Sequence, residues 1–198
     1  GLVKAGSTVY IKPNIVGPSP SGAGRITDWR VVQAVVNEVR RLGATRVVVG
    51  ETPIDCTWEV GFRTAGYYNL TGCELMKTDT KKADSYYLIP ERSLIGQPLY
   101  LPKIYMDADV VIDIPVLKTH STGGVTIGLK NVGIGMPPLN IYKVGGNKGG
   151  LHNFDIAKEI PDVSSIRRPD YTVVDAMVAG EGDGPVSPTP LKMGVVIA

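Results

Sequence analysis

Near the N-terminus two short apolar runs bracket a stretch with helical spacing, and few folds accept that order. Ser7-Thr8-Val9-Tyr10-Ile11 reads as one strand and Arg46-Val47-Val48-Val49 as a second. Between them Val32, Val35, Val36 and Val39 recur on one helix face, which predicts an amphipathic helix over residues 28–42. Thr27 or Asp28 caps its start, and Gly43 stands where a left-handed cap is wanted. The apolar runs are continuous rather than alternating, as in strands covered on both faces. A strand–helix–strand unit of this kind is parallel and closes right-handed. The expected fold class is α/β: a three-layer arrangement, mainly a parallel sheet with helices on both faces, with one irregular or antiparallel edge.

The rest of the chain extends that scheme. Residues 57–66 read as a helix and Cys73-Glu74-Leu75-Met76 as a strand. Leu88-Ile89-Pro90 and Pro98-Leu99-Tyr100-Leu101 suggest short or edge strands, because proline fits poorly in a central strand. Val110 to Ile114 and Tyr171 to Val174 are buried strands, residues 124–134 are helical, and 137–150 form a loop. Asn153 to Ile160 reads as a helix that Pro161 ends. Gly194-Val195-Val196-Ile197-Ala198 resembles a strand cut as it closes, and the chain opens at Gly1, so residues 1–198 are expected to be a single α/β domain from a longer chain.

Composition removes several classes. Hydrophobic residues make up 43% of the 198, enough for a core and too many for general disorder. The 21 basic and 19 acidic residues leave a net charge of +2, which argues against nucleic acid as a partner. No run approaches the roughly 18 apolar residues of a membrane span, so no membrane partner is expected. Two cysteines, Cys56 and Cys73, cannot build a disulfide framework. They read as small buried hydrophobes in a reducing, cytoplasmic setting, with a Cys56–Cys73 bridge left open. There is no Walker A sequence, no Gly-x-Gly-x-x-Gly after the first strand, no Gly-x-Ser-x-Gly elbow and no His-Glu-x-x-His.

Open parallel sheets bind ligands beyond the carboxyl ends of their strands. Lys12-Pro13-Asn14 follows the first strand and leads into a long Pro/Gly/Ser-rich connection ending near Arg25. Glu51-Thr52-Pro53 follows the second, Lys118-Thr119-His120 follows the strand at 110–114, and Asp175 and Glu181 follow the strand at 171–174. Lysines beside backbone N–H groups make an anion site. His120 with carboxylates offers a divalent metal the alternative. If the strand continues through Lys118 and His120, the two share a face.

These pieces together resemble the family called domain of unknown function 362. The match is carried by Ile11-Lys12-Pro13-Asn14, Thr27-Asp28 and Val49-Gly50-Glu51-Thr52-Pro53, followed by Lys118-Thr119-His120 and Gly128-Leu129-Lys130-Asn131. His152, Val174-Asp175-Ala176-Met177 and Glu181-Gly182-Asp183-Gly184-Pro185 complete it. The resemblance implies an α/β fold of bacteria and archaea. Some members carry ferredoxin-type iron–sulfur motifs beside the domain, which implies a ferredoxin-like redox partner or domain. This sequence has no such cysteine run, so no cluster is expected within it.

The expected function is an enzyme binding a small anionic substrate, phosphate or carboxylate, at the C-terminal edge of the sheet, with a redox link open. The alternative is a non-catalytic cofactor- or metabolite-binding module, or an assembly domain working with an iron–sulfur partner. A homo-oligomer is open. The catalytic candidates are His120, Lys118 and Asp175. The substrate-binding candidates are Lys12, Asn14, Glu51, Lys130, Asn131, His152 and Glu181. His120 would move a proton, the lysines would neutralise substrate charge, and Asp175 or Glu181 would orient His120 or ligate a metal.

Overall fold

A computed structural model describes residues 1–79, 82–89, 98–144, 148 and 155–198. In chain order it begins with β1 (Thr8–Pro13), α1 (Trp29–Arg41), β2 (Arg46–Glu51), α2 (Trp58–Thr64) and β3 (Glu74–Lys77). A short hairpin follows, β4 (Tyr86–Ile89) and β5 (Leu99–Pro102), then α3 (Lys103–Met106). Next come β6 (Val110–Ile114), β7 (Val116–His120), β8 (Gly124–Thr126), α4 (Gly128–Gly135) and α5 (Leu139–Tyr142). The described chain closes with α6 (Ile156–Ile166), β9 (Tyr171–Thr172), β10 (Val174–Asp183) and β11 (Ser187–Ile197).

The first unit forms as its residues dictate. Asp28, not Thr27, caps α1, its side chain accepting the Arg30 N–H. Gly43 takes φ +102°, and the N–H groups of Gly43 and Ala44 return to the carbonyls of Arg40 and Val39, closing the helix with a left-handed cap. Thr27 is used elsewhere: its hydroxyl donates to the Ile114 carbonyl at 2.6 Å and accepts the Asn14 N–H at 2.9 Å.

The five strands β3-β2-β1-β6-β9 make one wholly parallel sheet. Alternate residues feed two cores. Val9, Ile11, Val47, Val49, Val110 and Ile112 pack under α1 and α2. Tyr10, Val48 and Val111 face the other way, under α3 to α6 and the β4–β5 hairpin. Helices therefore cover both faces. The antiparallel part is larger than an edge: β11-β10-β7-β8 forms a second, mixed sheet, with only β10 and β7 parallel.

At two points the chain passes from the first sheet to the second within one residue. Pro115 separates β6 from β7, and Val173 separates β9 from β10. The crossings lie side by side, the Asp175 N–H donating to the Pro115 carbonyl and the Val173 N–H to that of Asp113.

Four expectations are corrected. Within the stretch 137–150, read as a loop, Leu139–Tyr142 forms the helix α5. Residues 124–134 are a strand and then a helix, because Gly124 at φ +69° turns the chain into a hairpin that pairs Lys118 with Thr126. Pro161 does not end its helix. It lies inside α6, where burial of Val163 and a close approach to Gly133 of α4 hold the helix past the lost backbone bond. Residues 153 and 154 lie outside the described residues. The 171–174 stretch is not one strand but the crossing at Val173, and β10 runs on to Asp183.

Candidate functional site

From β1 the chain first winds to β2 and β3, then returns to place β6 on the other side of β1. The carboxyl ends of β1 and β6 thus flank the point where strand order reverses, the usual binding crevice of such sheets. The register sets Lys12 opposite Asp113 there, and Glu51 ends the neighbouring β2.

These groups form a buried floor. The Lys12 ammonium is ion-paired with Glu51 and donates to the Pro13 carbonyl at 2.8 Å and the Asn131 Oδ1 at 3.4 Å. Asn131, delivered by α4, donates its amide to Asp113 Oδ1 at 2.7 Å and accepts from Asn14 Nδ2 at 2.8 Å. Gly135 gives Lys12 its room, since a Cβ there would sit 2.7 Å from the Lys12 Nζ. Among the described residues the other Asp113 oxygen is buried without a partner, and so is Asn14 Oδ1. Burial pushes the Asp113 carboxyl up to about 7, with Lys12 and Asn131 pulling the other way.

Above the floor lies a cavity of about 380 Å³. Lys118 and His120 line it from one wall because β7 is a strand: Val116, Lys118 and His120 alternate inward, and Leu117 and Thr119 are half-buried. Lys130 and Asn131 enter from α4, Lys148 from a third side, and Asn14, Glu51 and Thr52 from the ends of β1 and β2. Lys148 donates to the carbonyls of Ile134 and Gly135, the free end of α4. His120 Nδ1 accepts the N–H groups of Thr122 and Gly123 at 3.2 and 3.1 Å, which places the neutral ring's hydrogen on Nε2.

The electrostatics are one-sided. The two carboxylates in the wall are already paired, Glu51 with Lys12 and Asp55 with Arg25 at 2.7 Å. Among the described residues neither Lys118 nor Lys130 has a carboxylate within salt-bridge distance. Burial pushes the Lys118 ammonium down to about 7, helped by Lys130 and Arg25. Burial and Lys12 bring Lys130 down to about 8, and burial brings Lys148 down to about 7. Clustered, desolvated cations of this kind make the cavity the candidate site.

The structure gathers Asn14, Glu51, Lys118, His120, Lys130 and Asn131 at this cavity, with Lys12 beneath it. It does not bring in Asp175 or Glu181. The Asp175 carboxylate is turned to the start of α1, accepting the N–H of Asp28 at 2.7 Å and that of Met177 at 3.0 Å. Glu181 is exposed on β10, opposite Thr189 of β11. The metal set imagined from His120, Asp175 and Glu181 is not assembled, and no three His, Cys, Asp or Glu side chains meet among the described residues. His152 lies outside the described residues.

Sequence reasoning missed Asp113, Lys148 and Glu159. Asp113 is a charge inside an otherwise apolar strand, and that contradiction was the available signal. Glu159, on α6, is fully buried with neither oxygen hydrogen-bonded among the described residues, and burial pushes it up to about 8. Nothing in the sequence marked it.

The fold and site define a class: a parallel α/β fold covered on both faces, with a lysine-lined crevice at its switch point. The chain belongs to the family described as domain of unknown function 362 (DUF362), whose model matches residues 9–198. It is 29% identical over 200 residues to the thylakoid-associated protein sll1697 of Synechocystis sp., a match covering all of this chain and 60% of that protein. Among solved structures, the lactate racemase apoprotein of Thermoanaerobacterium thermosaccharolyticum aligns with a TM-score of 0.65 at 14% identity, over 96% of this chain and 46% of that one. A structural-genomics protein of Thermotoga maritima aligns with a TM-score of 0.51 at 13% identity, over 96% and 49%. The chain thus spans 60% of the curated relative's length and less than half of either solved chain. Among the described residues no helix is long and apolar enough to cross a membrane.

Proposed function

We propose that this chain forms the binding site of an enzyme acting on a small anionic substrate, seated in the cavity at the switch point. The observation that carries the reading is that Lys118 and Lys130 face one cavity with no carboxylate within salt-bridge distance among the described residues. A bound phosphate or carboxylate supplies the missing charge, and the side chains of Asn14, Thr52 and Asn131 supply polar partners to orient it. His120, held with its hydrogen on Nε2, offers an N–H donor at the same cavity that can polarise a bound carbonyl or carboxylate oxygen. Lactate, the acid named in one fold neighbour, is a small carboxylate of this class and a sensible first probe.

Calorimetric titration with lactate, malate and phosphate tests the binding half. One of them should bind the wild type, and Lys118→Met with Lys130→Met should weaken it by roughly 10–100-fold per lysine. Equal affinity in wild type and the double variant overturns the reading. For the chemistry, NMR should detect exchange of the bound acid's C–H for solvent deuterium, lost in His120→Asn while binding persists. Binding without any exchange favours the non-catalytic module instead.

A further inference from the structure

The lysines around the cavity are not equivalent. Lys12 is paired with Glu51, and Lys148 is held by two main-chain carbonyls at the end of α4. Lys130 has the buried Glu159 acting on it as a counter-charge. Lys118 differs: the charges that bear on it most are two cations, Lys130 and Arg25. It is 2% exposed, and it sits in the middle of the second sheet, between β10 and β8.

Its amine is also aimed. The stem is bounded by Gly180 of β10, where a Cβ would lie 3.1 Å from the Lys118 Cβ. The Nζ donates to the main-chain carbonyl of Arg25 at 2.6 Å. That carbonyl is brought there by Gly24, whose φ of +69° and missing Cβ let the loop lie directly on β10. A neutral main-chain acceptor fixes the nitrogen's position without holding its charge, as a carboxylate would.

Resting on the anion-binding reading above, we propose that Lys118 is a nucleophilic amine that condenses with the carbonyl of a small 2-oxo acid, with Lys130 taking the acid's carboxylate. Desolvation and neighbouring cations are the conditions that leave a lysine amine neutral and reactive, and they push this one down to about 7. The Nζ lone pair attacks the carbonyl carbon, forming C–N as the C=O π pair moves to oxygen. One amine hydrogen passes to that oxygen, giving a carbinolamine. The hydroxyl then takes a proton from solvent and leaves as water. The nitrogen pair closes the C=N bond, and nitrogen keeps its second hydrogen as an iminium. No oxidant is consumed. The iminium draws electrons from the adjacent carbon and so activates its C–H or C–C bond.

The test is reductive trapping of the wild-type protein with pyruvate and sodium cyanoborohydride, read by whole-protein and peptide mass spectrometry. Pyruvate and lactate affinities are measured in parallel by calorimetry. The expected result is one reduced pyruvate adduct per chain, on Lys118, with none from lactate, which has the charge but no carbonyl. Lys118→Arg, which keeps a positive charge but cannot form the imine, should lose the adduct, its fold checked by melting temperature. Pyruvate binding without an adduct, or an adduct spread over exposed lysines, overturns the imine and leaves the anion reading intact. No binding of pyruvate, lactate or phosphate overturns both. If Lys118→Arg fails to fold, the peptide map of the wild type alone still decides.

Discussion

Lys130 is a charge held where burial disfavours it. Among the described residues it has no carboxylate within salt-bridge distance, and its ammonium is brought down to about 8 by burial and by Lys12, against the pull of Glu159 and Glu51. An amine whose folded value lies below its unfolded one binds fewer protons when folded. Stability therefore rises with pH between about 8 and the unfolded value near 10.4. Lys130→Met should raise the ligand-free melting temperature at pH 7 and flatten that rise, measured by thermal unfolding from pH 7 to 10. A variant less stable than wild type at pH 7 would make Lys130 a structural cation. Asn131 is the opposite case, satisfied by Asp113, Asn14 and Lys12 together, so its amide stabilises the floor as a network. Much of this residue list was legible, because charged groups directly after apolar strands fall at the sheet's carboxyl edge. Asp113 was not, because one acid within Val-Val-Ile-Asp-Ile reads as part of the strand. Asp175 was misplaced because β10 continues through it, and its side chain serves the start of α1.

At the level of elements, local signals carried the first sheet and failed in the second. β1, α1 and β2 announce themselves by periodicity and by the Asp28 and Gly43 caps, all within a few residues of one another. β7 and β8 have no such signature. Lys-Thr-His and Gly-Val-Thr are strands because β7 pairs with β10, a segment some sixty positions later, and β8 folds back on β7. That pairing depends on two glycines. Gly24 and Gly180 bring the long β1–α1 loop against β10, and a Cβ on either would collide with the other segment's main chain. Gly180→Ala should destabilise the protein by about 1–3 kcal/mol, as overpacking does, and should weaken anion binding as the Arg25 carbonyl leaves Lys118. Urea unfolding with parallel titration checks both. A stable variant that binds normally would show that the loop is not needed to place the amine.

On the scale of the whole molecule, the two halves of the site belong to different sheets. Lys12 and Glu51 end strands of the parallel sheet, and Lys130 and Asn131 ride on α4 packed against it. Lys118 and His120 stand on the mixed sheet. Pro115 and Val173 join the sheets directly at this point, tied across by the Asp175 N–H to the Pro115 carbonyl at 2.8 Å. Pro115→Gly releases a fixed φ, and through unfolded-chain entropy alone it should cost about 0.4–1 kcal/mol. Its effect on binding should be larger and should depend on ligand size, read as the ratio of malate to lactate affinity against wild type. An unchanged ratio would mean the crossing does not set the gap. Such a site behaves as a calliper. The distance it gauges is fixed where its two arms meet, so altering the joint changes what is gripped while every lysine stays in place.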